Sequence, residues 1–206
     1  MDGTLIDQTR PIIRCYAEVI ESMGYPAPDP ETIRRSMGGA MASTMKIFVE
    51  EARLEEAGLA FRRRFPEIMF EGLIVLPGAL ELIEFFHQSG ASQSILTNKH
   101  GETARAVSVH CGFSSFIKTC VGSGDTKWSK PEPELTRFTL KKLQATPANT
   151  ILIGDSPTDA ATAQRAGLNC FGVATGAHSI DELLEAGVSK AFLDLTRLQA
   201  ALSEKK

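Results

Sequence analysis

From residue 79 to 173 the chain alternates stretches of helical period with short apolar runs: helical over 79–88, 102–110, 133–143 and 160–166, apolar over 92–96, 116–121, 150–153 and 170–173. Runs of four to six apolar residues bounded by turn formers suit strands covered on both faces. Alternating with helices, they leave one simple arrangement, a parallel sheet with right-handed helical crossovers packed on it. The expected fold class is therefore α/β, with a doubly wound, Rossmann-like parallel sheet. A last apolar run over 191–195 reads as a peripheral strand before a terminal helix. Sheets of this kind bind ligands beyond the carboxyl ends of their strands, which says where along the chain to look for chemistry.

The first third has a different texture. Ile12, Ile13, Tyr16, Val19 and Ile20 recur at helix spacing, the segment Gly24-Tyr25-Pro26-Ala27-Pro28-Asp29-Pro30 breaks the pattern, and Leu76-Pro77-Gly78 reads as a linker. The expected division is a core of residues 1–7 and 77–206, interrupted by an all-helical insert over 8–76. With 206 residues and 43% apolar content, the chain is large enough for a core and a small insert.

Charge and cysteine usage narrow the function. Lysine and arginine total 22 against 25 acidic residues, a net of -3, so nothing draws the whole molecule to nucleic acid or to an anionic membrane. An anionic ligand must be held locally. Cys15, Cys111, Cys120 and Cys170 form no Cys-x-x-Cys pair, which argues against a zinc site and against a disulfide framework. No apolar stretch approaches the ~18 residues of a membrane span, and the amino terminus lacks a leader pattern. The expected location is cytoplasmic, with no membrane or nucleic-acid partner. Oligomeric state is left open.

The polar residues at the expected strand ends point to one chemistry. Thr97 and Asn98 follow the run 94–96, Asp155 follows 151–154, Lys130 stands in the Gly/Ser/Pro-containing stretch after 116–121, and Asp2 opens the chain. Acidic strand ends converging with a hydroxyl and a lysine suit Mg2+-dependent phosphoryl transfer. Mg2+ takes few carboxylate oxygens and completes its shell with water and phosphate, so Asp155 and Asp159 can supply or orient it. Thr97 can donate to a phosphoryl oxygen, and Lys130 can neutralise charge that spreads over the transferring group. Gly3 allows close backbone approach to phosphate. Two carboxylates two residues apart could divide the roles of nucleophile and acid/base. Asp2 would be the acid and base, and its partner would precede Met1. The loop Ser36-Met37-Gly38-Gly39 is a candidate to dip toward the site, whereas Arg34-Arg35 and Arg62-Arg63-Arg64 read as solvated helix faces.

Each of these residues has a plainer reading when taken alone. Asp155 before Ser-Pro resembles a helix N-cap, Asp159 a first-turn acid, Thr97-Asn98 a turn, Lys130 a solvated loop lysine, and Asp7 a cap for the following helix. Their order along the chain favours the shared function.

Four motifs, Asp2-Gly3-Thr4-Leu5-Ile6-Asp7, Thr97-Asn98, Lys130-Pro131-Glu132-Pro133 and Gly154-Asp155-Ser156-Pro157-Thr158-Asp159, resemble the haloacid dehalogenase superfamily of phosphatases. The position of the helical segment is most similar to the phosphoglycolate phosphatase branch. The resemblance implies a helical cap inserted after the first motif and a phosphate-binding set of Gly3, Thr97, Asn98 and Lys130. It implies that Asp2 protonates the leaving oxygen, then activates water, and lends its carbonyl to Mg2+. Asp155 would be the side-chain metal ligand, and Asp159 a ligand or an orienter of metal-bound water and of Lys130. Met37, Gly38 and Gly39 would bear on substrate choice. The phosphorylated aspartate would stand immediately before Met1, at the end of an apolar strand in the centre of the sheet. The expectation is that Met1 is an internal methionine and that the 206-residue chain by itself turns over weakly or not at all. The expected partner is a small phosphate ester, phosphoglycolate first. A catalytically inactive phosphate- and Mg2+-binding relative and a sugar phosphomutase are the alternatives.

Overall fold

The helical insert forms from the pattern read above. In the computed structural model, which describes residues 1–204, α1 (Thr9–Ser22) buries Ile12, Cys15, Tyr16, Val19 and Ile20 along one stripe. Asp7 accepts from Thr9 N at 2.8 Å, so it does fasten the entry to this helix. After the Gly/Pro break come α2 (Pro30–Ser36), started by the Asp29 cap with proline in the first turn, then α3 (Met41–Met45) and α4 (Leu54–Ile68). Phe65 and Ile68 of α4 are buried, with Phe61 stacked on Phe65 and tilted against Tyr16. Entry and exit of the insert are paired to each other: β1 (Ile6–Asp7) lies antiparallel to β2 (Ile74–Val75). The sequence pattern did not disclose this ribbon, because two residues are too few to show a period.

The remainder is parallel sheet and helix. After α5 (Ala79–Gln88), β3 (Gln93–His100) pairs in parallel with β4 (Ile117–Ser123) across α6 (Gly101–His110). Then α7 (Pro133–Leu143) starts on Pro133 and leads to β5 (Ile151–Gly154) and α8 (Pro157–Ala166). β5 pairs with β6 (Asn169–Val173) and β6 with β7 (Lys190–Phe192), both in parallel. α9 (Ile180–Glu185), which was not anticipated, is set by a Ser179–Glu182 capping box. The apolar run at 191–195 divides: β7 ends at Phe192, and the Asp194 carboxylate accepts from Arg197 N at 2.8 Å to start α10 (Leu195–Ser203). No helix among the described residues is long and apolar enough to cross a membrane.

The parallel sheet lies in two pieces, β3–β4 and β5–β6–β7. Between them is a cavity of about 650 Å3 lined by Ile95 and Leu96 of β3, Leu152 and Ile153 of β5, Leu140 of α7, and Met1. Thr136 also lines it, and its buried hydroxyl has no hydrogen-bond partner among the described residues. Among the described residues one edge of β3 and one edge of β5 have no ladder partner, and both strands line this space.

Candidate active site

The residues singled out at strand ends converge. Asp2, Met37, Gly38, Gly39, Thr97, Asn98, Lys130, Asp155 and Asp159 all line one cavity of about 330 Å3 between the sheet and the helical insert. The exception is Gly3, whose N–H donates to Ile6 O at 2.8 Å and whose carbonyl accepts from Thr175 Oγ1 at 2.6 Å. Its amide is therefore turned away from any phosphate. Glycine is required there for room: φ is +74°, and a Cβ would overlap the Asp155 carboxylate. Gly176 presses on the same carboxylate from another side.

Asp155 and Asp159 owe their positions to the strand-to-helix turn after β5. The N-cap of α8 is Ser156 rather than Asp155, with Asp159 completing a capping box. Asp159 Oδ2 accepts from Ser156 N at 3.1 Å and Ser156 Oγ at 2.7 Å, while Oδ1 accepts from Lys130 Nζ at 2.6 Å. The capping role and the lysine-holding role thus fall on the same carboxylate, one oxygen each. Burial opposes its ionisation, but Lys130 and these hydrogen bonds hold Asp159 below the usual carboxylate range. Asp155 has the reverse balance. Burial, followed by the charge of Asp159, pushes it up to about 6, against the opposing effects of the Met1 ammonium, a 2.6 Å hydrogen bond from Thr4 Oγ1, and Lys130. A buried carboxyl raised in this way gains most from a further positive charge.

Asn98 turns out to be a brace. Its Oδ1 accepts from Lys130 N at 2.8 Å, and its Nδ2 donates to Gly38 O at 3.1 Å and Lys130 O at 3.2 Å. One amide therefore joins β3, the Lys130 loop and the insert, and its polar atoms are spent on protein rather than left for phosphate. Thr97 lies buried beside it, with Oγ1 accepting from Lys99 N at 3.1 Å and its own proton free to turn toward the cavity. Gly38, with φ at +91°, sits against Ser156, where a Cβ would approach Oγ to 2.8 Å. Arg35, expected on a solvated face, reaches the core: it donates to Ala177 O at 2.6 Å and pairs with Glu182 at 2.5 Å. That pair is largely exposed, so it contributes little to stability.

Lys99 was missed. Its Nζ lies 3.1 and 3.2 Å from the two carboxylate oxygens of Asp2. Residues two apart on a strand share a face, so Thr97 at a ligand-facing position already implied Lys99 beside it. Tyr16, Phe61, Arg62 and Phe65 of the insert also line the cavity, but helix period alone does not distinguish a lining side chain from a core one.

Among the described residues no three His, Cys, Asp or Glu side chains form a metal-binding group. Mg2+ needs no such cage, since it is commonly held by one or two carboxylates plus substrate phosphate and water. Asp155, with a raised pKa and a close-fitting glycine cradle, suits that role. Replacing Gly176 by alanine is expected to displace this carboxylate and to cost about 1–3 kcal/mol in urea unfolding. Gly3→Ala should cost more, because a Cβ at positive φ adds about 1–2 kcal/mol of backbone penalty.

A split parallel sheet, a helical layer over its carboxyl edge, and two buried lysines each paired with one acid, Lys130 with Asp159 and Lys99 with Asp2, make up an α/β site. The sequence profile of the haloacid dehalogenase-like hydrolases matches residues 1–173, and the chain belongs to that family. It is 27% identical over 192 residues to a "Probable phosphatase IndB" from Dickeya dadantii (strain 3937), covering 90% of this chain and 84% of that protein. It is 28% identical over 174 residues to a phosphoglycolate phosphatase from Rhodobacter capsulatus, covering 82% and 78%. In structure, a putative haloacid dehalogenase-like hydrolase from Bacteroides fragilis superposes with a TM-score of 0.90, covers 96% of both chains, and is 24% identical.

Proposed function

We propose that this chain forms the body of a Mg2+-dependent phosphomonoester hydrolase acting on a small phosphorylated metabolite through an aspartyl-phosphate. The observation that carries the proposal is the meeting of Asp2, Thr97, Lys130, Asp155 and Asp159 on one roofed cavity. Relatives named as phosphatases support the phosphate-ester class, and those named phosphoglycolate phosphatases make phosphoglycolate the first substrate to try.

The division of labour follows from the contacts. Thr97 is placed to donate to a phosphoryl oxygen. Lys130, fixed by Asp159 and by Asn98, holds positive charge where the transferring group must sit. Asp2 supplies the proton to the departing oxygen and later withdraws one from the attacking water. The carboxylate of Asp155, with the carbonyl of Asp2, would hold Mg2+, and Asp159 orients Lys130. When bound, Mg2+ supplies charge neutralisation at the phosphate oxygens. The α-amino nitrogen of Met1 is buried among Lys130, Asp155, Asp2 and Asp159. A residue joined to it therefore stands among the groups that serve the reaction, and we assign the nucleophilic aspartate to that position. The strand leading into it would lie in the cavity between β3 and β5, where two unpaired parallel edges await it.

A panel of phosphomonoesters, offered to the chain extended by an apolar strand ending in aspartate and scored for inorganic phosphate with and without Mg2+, tests the reading. Phosphoglycolate should lead, and chelation should abolish release. Rearranged sugar phosphate in place of inorganic phosphate would make the protein a mutase and sink the hydrolase reading. The metal assignment has its own pH signature. Asp155 carries a proton below about pH 6, and proton and metal compete for the same oxygens. Calorimetric Mg2+ affinity should fall about tenfold per pH unit below that value and level off above it. A flat profile from pH 4.5 to 8 would remove Asp155 from the metal shell.

A further inference from the structure

The role given to Asp2 leaves open what aims its carboxyl. A carboxyl on a short side chain rotates about its last bond, and proton transfer needs it within hydrogen-bond reach of the departing oxygen. The side chain of Asp2 is only 14% exposed, and its two oxygens lie 3.1 and 3.2 Å from one ammonium, that of Lys99, itself only 6% exposed. Lys130, the other buried lysine of the cavity, is committed to Asp159. The two lysines are thus divided between two carboxylates. On its other side Lys99 Nζ lies 4.6 Å from the centre of the Phe65 ring. Phe65 belongs to α4 of the helical insert, whereas Lys99 belongs to β3 of the sheet and Asp2 precedes β1. An ammonium over a desolvated aromatic face is attracted to it, so Phe65 seats the lysine while the lysine seats the acid.

We infer that Lys99 is a positioning residue for the acid/base Asp2, and that Phe65 makes its placement depend on α4 lying against the sheet. This rests on the hydrolase reading and adds to it a chain of support, Phe65 to Lys99 to Asp2, joining the insert to the proton donor. In the step it serves, the bond from phosphorus to the ester oxygen breaks as the nucleophilic carboxylate bonds to phosphorus. The proton of Asp2 passes to the departing oxygen, and Lys99 takes no part in the proton's transfer.

The test compares two esters on the full protein carrying its nucleophile, unsubstituted and as Lys99→Met, Lys99→Arg and Phe65→Leu. An alkyl ester such as phosphoglycolate needs its leaving oxygen protonated, whereas p-nitrophenyl phosphate departs as a stable anion. Lys99→Met should lower kcat/KM, which reports the phosphorylation half-reaction alone, about 10²-fold for the alkyl ester, within the usual contribution of general acid catalysis. It should lower kcat/KM for the nitrophenyl ester less than about threefold, whereas kcat, which includes the water attack that Asp2 also serves, should fall for both. Lys99→Arg should restore most of the loss, and Phe65→Leu should show the same ester dependence in weaker form. Equal losses in kcat/KM on both esters would overturn the inference while leaving the hydrolase intact. No phosphate release from either ester by the unsubstituted protein would overturn the parent reading and this one with it. A readout without turnover is the side-chain 15N–1H signal of Lys99 in the 206-residue chain. It should be slow to exchange and should move in Asp2→Asn and in Phe65→Leu; a signal indifferent to both substitutions counts against the support chain.

Discussion

Joining a five- or six-residue apolar strand that ends in aspartate to the nitrogen of Met1 should raise phosphate release from background to at least about 1 s⁻¹, within the ordinary range of enzymes. The same strand ending in asparagine should leave it at background. Two effects combine in this result. The aspartate supplies a reactive carboxylate that the two acids after β5 are not free to provide, since Asp159 is bound to Lys130 and Ser156, and Asp155 is held by Thr4. The strand supplies apolar side chains to a space lined by Ile95, Leu96, Leu140, Leu152 and Ile153, and ladder partners to β3 and β5. The asparagine version should therefore gain stability without gaining activity, a separation that urea unfolding beside a phosphate assay will read. Equal activity from both versions would place the nucleophile elsewhere.

Lys130→Ala should cost about 10²–10³-fold in kcat/KM, the usual effect of deleting one donor to developing negative charge. It should also cost about 3–5 kcal/mol of stability, because it leaves the Asp159 carboxylate buried and unpaired. The contact is short at 2.6 Å and both side chains are under a tenth exposed, so solvent cannot replace the missing cation. The double variant Lys130→Met with Asp159→Leu removes both charges and should recover much of the stability while remaining inactive. Stability and turnover measured on the same samples separate the two roles. An active double variant would contradict the assignment of Lys130 to the phosphoryl group.

What the sequence disclosed and what it did not follow from the range of the interactions. Helices α7 and α5 were readable to the residue, because proline or linker glycine starts them and buried positions recur at three and four. The convergence of Thr97, Lys130 and Asp155 was readable because parallel strands bring their carboxyl ends to one edge. The uses of Asn98 and Gly3 were not. Asn98 satisfies its amide on the distant Gly38 O and Lys130 N, and Gly3 its carbonyl on the distant Thr175 Oγ1, with its N–H turned to Ile6 O three residues on. Such partners are set by packing, and no local period records them. Lys99 lay between these cases. Its face was determined by Thr97, but its partner Asp2 sits 97 positions away, and a lysine in a strand end is ordinarily solvated.

Both crossings between the helical layer and the sheet run through the short ladder of Ile6 with Val75 and Asp7 with Ile74. Mechanically they act as a single strap, with no second tether to let the layer slide sideways. Were the layer to turn about that strap, the contacts of Gly38 with Asn98, Arg35 with Glu182, and Phe65 with Lys99 would part together. Access to the cavity and the support of Asp2 would then be coupled through one hinge.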